Sequence, residues 1–158
     1  MARVLVVDDD YAIREMLTVL IEEETEHHVL SAANGREALD VLALDPAIDV
    51  VVCDINMPVM NGYELVRRMR ADARLAPTPI IMASAGVFLE RVDPELAVDV
   101  LLEKPFEITA LLACLAYELA GVRASNHKVR VTKRRAMHTL NQMLRASERQ
   151  QLGRSSAH

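Results

Sequence analysis

An α/β fold built on one doubly wound, five-stranded parallel sheet follows from three observations. Short β-branched apolar runs alternate with stretches of helical period, as in successive βα units. Ile48–Cys53 is an almost unbroken apolar run, the pattern of a strand covered on both faces. Charged residues follow directly on several of these runs, so they collect at one edge of such a sheet, where open parallel sheets bind ligands.

Arg3–Val7 is the first strand. A helix follows from about Tyr11 to Glu24, with Ile13, Met16, Leu17, Leu20 and Ile21 expected inward at spacings of three and four, and Asp10 placed to cap it. Val29–Ala32 reads as the second strand, and Gly35–Leu44 as the second helix with Ala38, Leu39 and Leu42 inward. The third strand is Ile48–Cys53, the third helix Gly62–Ala71 and the fourth strand Pro79–Ala83. Asp93-Pro94-Glu95 is a good helix start, an N-cap acid with proline at the first helical position. Little chain remains before a fifth strand at Val100–Leu102, so this fourth helix is expected to be short or displaced, with Phe88, Leu89 and Val92 partly exposed ahead of it. Ile108–Leu119 is the last helix.

The 158 residues suit one domain of ordinary size with a small appendage. An apolar fraction of 51% supports a core, and 3% aromatics make that core aliphatic and methionine-rich. No run approaches the roughly 20 apolar residues of a membrane span, so no membrane insertion is expected. A strand begins within three residues of Met1, so no cleaved leader is expected, and Cys53 and Cys114 fit buried, reduced thiols of a cytoplasmic protein. Charge divides the chain in two. Residues 1–120 carry 9 Lys+Arg against 22 Asp+Glu, a balance of −13, while residues 121–158 carry 9 against the single Glu148, a balance of +8.

The chemistry gathers at the strand ends. Asp8 and Asp9 follow the first strand, Asp54 the third, Ser84 the fourth and Lys104 the fifth. Two or three carboxylates suit a hard divalent cation that keeps some of its water, magnesium or manganese. Phosphoryl transfer needs positioning and charge neutralisation, which a cation and Lys104 supply while the Ser84 hydroxyl donates to a phosphate oxygen. An aspartate oxygen can itself be the nucleophile. Singly, each piece reads as a solvated turn, an Asx turn or a loop pair; together, in this order, they read as a site. His27 and His28 read as solvated, Cys53 as pointing away from the acids by strand alternation, and Met57, Met60 and Met69 as core or loop filler.

Val6-Val7-Asp8-Asp9, Asp54-Ile55-Asn56-Met57-Pro58-Val59-Met60-Asn61-Gly62, Ile80-Ile81-Met82-Ala83-Ser84-Ala85 and Lys104-Pro105-Phe106 resemble, in order, the motifs of the receiver domain of bacterial two-component response regulators, the chemotaxis receivers among them. The resemblance covers residues 1–120. It implies a flavodoxin-like sheet of strand order 2-1-3-4-5, and phosphoryl transfer to Asp54 from a sensor histidine kinase or a phosphotransfer protein. It further implies a cation held by Asp8, Asp9, Asp54 and the Asn56 carbonyl, with Ser84 and Lys104 on the phosphoryl group and a cis peptide before Pro105. The chain departs from the pattern at Leu101, which stands where the family has an aromatic switch residue, and Ser84–Lys104 is a residue or two short. Gly86, two places after Ser84, offers no side chain to shield a phosphate, so a short to moderate phosphate lifetime is expected.

Residues 121–158 are too few for a winged-helix effector and read as a basic extension, helical or partly disordered. A helix over about Lys128–Gln151 would carry Val129, Ala136, Met137, Leu140, Met143 and Leu144 on one side. Such a helix would dock on a partner or on a second copy, with a homodimer through the face of the fourth and last helices as another route. The favoured expectation is a receiver that signals by protein–protein contact. The alternative is a nucleic-acid-binding regulator in which the receiver gates the tail, and an enzyme acting on external phosphate esters ranks below both because no further general acid is visible.

Overall fold

The structure is a computed structural model that describes residues 1–85, 93, 96–121 and 129–131. Nine of its elements alternate along the chain. β1 (Arg3–Val7) leads to α1 (Tyr11–Glu24), β2 (His28–Ala32), α2 (Gly35–Leu44), β3 (Val50–Cys53) and α3 (Gly62–Ala71), and then to β4 (Ile80–Ala85), β5 (Val100–Lys104) and α4 (Ile108–Leu119). The strands are all parallel and pair in the order β2-β1-β3-β4-β5. The fold and strand order are those expected, with strand ends shifted by one or two residues.

One element differs. Val129–Val131 forms β6, which pairs parallel to β5 in the register Val100↔Val129, Leu101↔Arg130, Leu102↔Val131 and makes the sheet six-stranded. The start of the expected tail helix is therefore extended chain. Two β-branched residues flank Arg130, and the outer edge of β5 presents a row of backbone groups that a strand satisfies and a helix does not. The rest of that helix, the expected fourth helix beyond Asp93, and Gly86, Phe88, Leu89 and Val92 lie outside the described residues.

Strict alternation along the strands builds two cores. Leu5, Val7, Val51, Cys53, Ile80, Met82 and Leu101 face α2 and α3, packing on Ala38, Leu42, Leu65, Val66 and Met69. Val4, Val6, Val50, Val52, Ile81, Ala83, Val100 and Leu102 face α1 and α4, packing on Leu17, Ile21, Leu111, Cys114 and Leu115. Both faces being covered is why these strands read as apolar runs. Met16, expected inward, is 51% exposed: the buried stripe of α1 is centred on Leu17 and Ile21, and Met16 falls off its side. Asp10, Asn34 and Asn61 cap α1, α2 and α3, each side chain accepting from backbone N–H groups of the first turn.

Two devices set where the strand ends lie. Near the amino rim of the sheet the Arg70 guanidinium donates to the carbonyls of Ala76, Thr78 and Ala97 and to Asp99 Oδ2, all at 2.7–2.9 Å, and Asp99 Oδ2 also accepts from Ile80 N–H. This ties the end of α3 to the entries of β4 and β5. At the opposite rim, Gly62 N–H donates to Ile55 O and Gly35 N–H to Met60 O, both at 2.9 Å, fastening the loop from Asp54 to Gly62 to the fold. A Cβ on Gly62 would lie 2.3 Å from the Asp54 carbonyl oxygen, a backbone atom with nowhere to go.

Arg70→Ala leaves a half-buried carboxylate and three carbonyls without their donor, so urea unfolding is expected to show a loss of about 2 kcal/mol, and a loss under about 0.5 would refute the clamp. Gly62→Ala is expected to cost at least about 2 kcal/mol by the same measurement, because relief of the clash moves the Asp54 backbone. Wild-type stability in this variant would show that the loop is not fixed there.

Candidate functional site

β1 and β3 are adjacent, and Asp54 N–H donates to the Val7 carbonyl at 2.9 Å, so Asp8 and Asp54 leave the sheet side by side. Asp8, Asp9 and Asp54 each bring a carboxylate oxygen within 4.8 Å of the others. Lys104, arriving from β5, places Nζ 2.7 Å from Asp8 Oδ2 and 3.7 Å from Asp54 Oδ2. The four side chains thus meet at one rim although Asp8 and Lys104 are 96 positions apart in sequence.

Burial differs among the acids. The Asp8 side chain is 5% exposed, a position for a charge only because Lys104 and Asp10 N–H, at 3.0 Å, satisfy its two oxygens. Asp54 is 14% exposed; its Oδ1 accepts from Ile55 N–H at 2.7 Å, which leaves Oδ2 turned toward Lys104. Asp9 is exposed. Three carboxylates this close repel one another, and one ammonium offsets only part of that, so the cluster favours a further cation. All-oxygen donors at two burial levels fit a hard divalent ion that keeps water, magnesium or manganese, and do not fit zinc, for which nitrogen or sulfur ligands are usual.

The remaining expected residues fall as follows. Ser84 is 2% exposed on β4, in register with Glu103. Asn56 is exposed on the loop two residues beyond Asp54, while Met57 and Met60 are buried beneath it. The Lys104–Pro105 peptide is cis. Leu101 lies in the core layer below α2 and α3, away from the acid cluster. Cys53 shares that layer; burial raises its thiol well above the ordinary range and the Asp54 and Asp8 charges raise it further, so it stays protonated, and its Sγ donates to the Asp54 carbonyl. His28 is exposed beside Glu22, and His27, its basicity lowered chiefly by partial burial, accepts from Ala2 N–H.

One further residue supports the site and another stands on the loop beside it, and both carry little sequence signal. Arg14 donates from Nη1 to the Asp8 carbonyl at 2.7 Å and lies over the Tyr11 ring, pinning the turn that carries Asp8 and Asp9; a helical position one turn after Asp10 is its only mark. Val59 has φ of +66°, a left-handed backbone that a β-branched residue adopts at a cost of about 1–2 kcal/mol, and nothing in its residue type announces it.

Known proteins resemble this chain in sequence and in fold. The profile of the response regulator receiver domain family matches residues 4–116. Response regulator Rre1 of Synechocystis is 34% identical over 125 residues, 77% of this chain and 53% of that protein. The transcriptional regulatory protein CpxR of Escherichia coli is 38% identical over 115 residues, 72% of this chain and 47% of that one. The chain therefore spans about half the length of the curated relatives it matches. Among solved structures, chemotaxis response regulator CheY4 of Vibrio cholerae superposes with a TM-score of 0.65 at 35% identity, covering 75% of this chain and 99% of that one. A signal receiver domain of a histidine kinase from Syntrophus aciditrophicus gives 0.71 at 27% identity, covering 80% and 96%. With its parallel sheet, its acids at adjoining strand ends and its lysine from β5, the chain belongs to the response regulator receiver domain family.

Proposed function

We propose that this chain accepts a phosphoryl group on Asp54 from a histidine-phosphorylated sensor kinase or phosphotransfer protein and passes the signal on by protein–protein contact. The observation that carries this reading is the meeting of Asp8, Asp9 and Asp54 with Lys104 at one rim. Asp54 Oδ2 is the nucleophile: its Oδ1 is already bonded to a backbone N–H, and Oδ2 points at the Lys104 ammonium, placed to neutralise what it acquires. A phosphorus–oxygen bond forms at Oδ2, and the phosphorus–nitrogen bond of the donor breaks with its electron pair going to the imidazole. Asp8, Asp9, Asp54 and the Asn56 carbonyl would hold magnesium or manganese, which screens the charge on the phosphoryl oxygens. Lys104 supplies the second positive charge by leaving Asp8, and Ser84 on β4 supplies a hydroxyl donor. In this reading the protein promotes its own phosphorylation and dephosphorylation, turns over no separate substrate, and works in the cytoplasm.

A second reading, gating of nucleic-acid binding, is favoured by the similarity to CpxR, a transcriptional regulatory protein, and by the +8 balance of residues 121–158. Salt-sensitive DNA or RNA binding lost in the triple variant Lys133→Gln, Arg134→Gln, Arg135→Gln would favour it.

With acetyl phosphate and magnesium, intact mass is expected to show one phosphate adduct in the wild type and none in Asp54→Asn; an adduct surviving the substitution removes Asp54 from its role. Lys104→Met leaves the nearly buried Asp8 carboxylate without its cation and is expected to cost about 2 kcal/mol in metal-free buffer. Because added magnesium replaces that cation, the thermal midpoint of Lys104→Met is expected to rise more steeply with magnesium than that of the wild type. Equal magnesium dependence would refute the exchange of lysine for metal.

A further inference from the structure

We infer that the basic run Lys133-Arg134-Arg135 is an internal counter-charge for the acid rim, aimed there by β6 and competing with the divalent cation for it. The inference rests on the cation site of the reading above and adds what occupies that rim before the metal does. Three observations carry it. First, β6 runs parallel to β5, with Val131 in register with Leu102. Lys104 stands two residues further along β5, so β6 sends its chain end toward the rim where Lys104 meets Asp8 and Asp54. An antiparallel β6 would send the same chain to the opposite rim. Second, Lys133, Arg134 and Arg135 follow Val131 by two, three and four positions. Third, the two rims differ in charge. At the amino rim Asp45 pairs with Arg3 and Asp99 with Arg70, while Asp49 accepts from Arg3 N–H. At the carboxyl rim Asp8, Asp9 and Asp54 set three negative charges against the single charge of Lys104, and both Asp9 and its neighbour Asp10 are exposed.

Reach and charge select the occupant. Asp54 follows β3, three strands from β6, and strand spacing makes that about 14 Å. Four residues of extended chain span about 13–14 Å, before an arginine side chain adds its own length. The basic run therefore reaches the acids from Val131 without any movement of β6. Its guanidinium groups fork onto carboxylates, and at an exposed rim their attraction weakens as salt rises. A divalent cation brings two charges to shorter range and displaces the run rather than joining it. Arg145, Arg149 and Arg154 carry the same total charge but stand 14 or more positions beyond Val131.

The test uses the 158-residue chain in four forms. These are the wild type, the triple variant Lys133→Gln, Arg134→Gln, Arg135→Gln, the control triple Arg145→Gln, Arg149→Gln, Arg154→Gln, and Asp9→Asn. Magnesium affinity is measured by calorimetric titration in low-salt buffer. The first triple is expected to bind magnesium at least about fivefold more tightly than the wild type, and the control triple within about twofold of it. That gap is expected to close in about 0.5 M sodium chloride, where the screening length falls to about 4 Å. Magnesium is also expected to speed trypsin cleavage after Lys133, Arg134 and Arg135 in the wild type and to leave cleavage after Arg145 and Arg149 unchanged. Equal affinity in the wild type and the first triple overturns the inference, and so does an equal gain in both triples, which would mark a diffuse field rather than an aimed run. Cleavage after Lys133, Arg134 and Arg135 that ignores magnesium overturns it as well. If Asp9→Asn binds magnesium as tightly as the wild type, the cation site itself fails and the counter-charge assignment with it.

Discussion

The ion pair between Lys104 and Asp8 is the interaction on which the rim depends. Three carboxylates whose oxygens lie within 4.8 Å of each other form an arrangement that two unit charges alone would oppose by about 4 kcal/mol at the effective dielectric of a protein surface. The ammonium that offsets this comes from the far side of the sheet, 96 positions away, and arrives only when β1, β3, β4 and β5 are all in register. Folding and site assembly are therefore one event. The offset is also incomplete, which leaves the cluster short of positive charge and open to a divalent cation.

Much of this was written into local sequence. The ends of β1, β3 and β5 are legible because those apolar runs stop at charged residues, and α1 is legible because Asp10 is a side chain that caps helices. What stayed hidden depends on distance or on backbone conformation. The clamp from Arg70 to Asp99 joins residues 29 apart, and an arginine in a helix gives no hint of what it will reach. Gly62 reads as one more loop glycine until the Asp54 carbonyl is seen where its Cβ would stand. Val59 is hidden for the opposite reason, since valine is a residue type that argues against the turn it occupies.

β6 shows how two periodicities compete in one segment. Val129 belongs both to the apolar stripe expected of a helix over Lys128–Gln151 and to the short β-branched alternation Val129-Arg130-Val131, and the open edge of β5 decides between them. A strand at that edge gains backbone hydrogen bonds to β5 at once. The helical spacing assigned Val129–Val131 the wrong geometry, because an edge strand is specified by its neighbour.

Cys53 has a consequence of a different kind. Were Asp54 phosphorylated as proposed, its aspartyl phosphate would be a mixed anhydride, an electrophile at its carbonyl carbon, and a neighbouring thiolate would attack it, release phosphate and leave a thioester. The sulfur sits one residue from that carbon, yet dense packing and two neighbouring negative charges keep its proton on. Strand alternation, which sends adjacent side chains to opposite faces, thus lets a soft nucleophile and a reactive acyl group occupy consecutive positions without reacting.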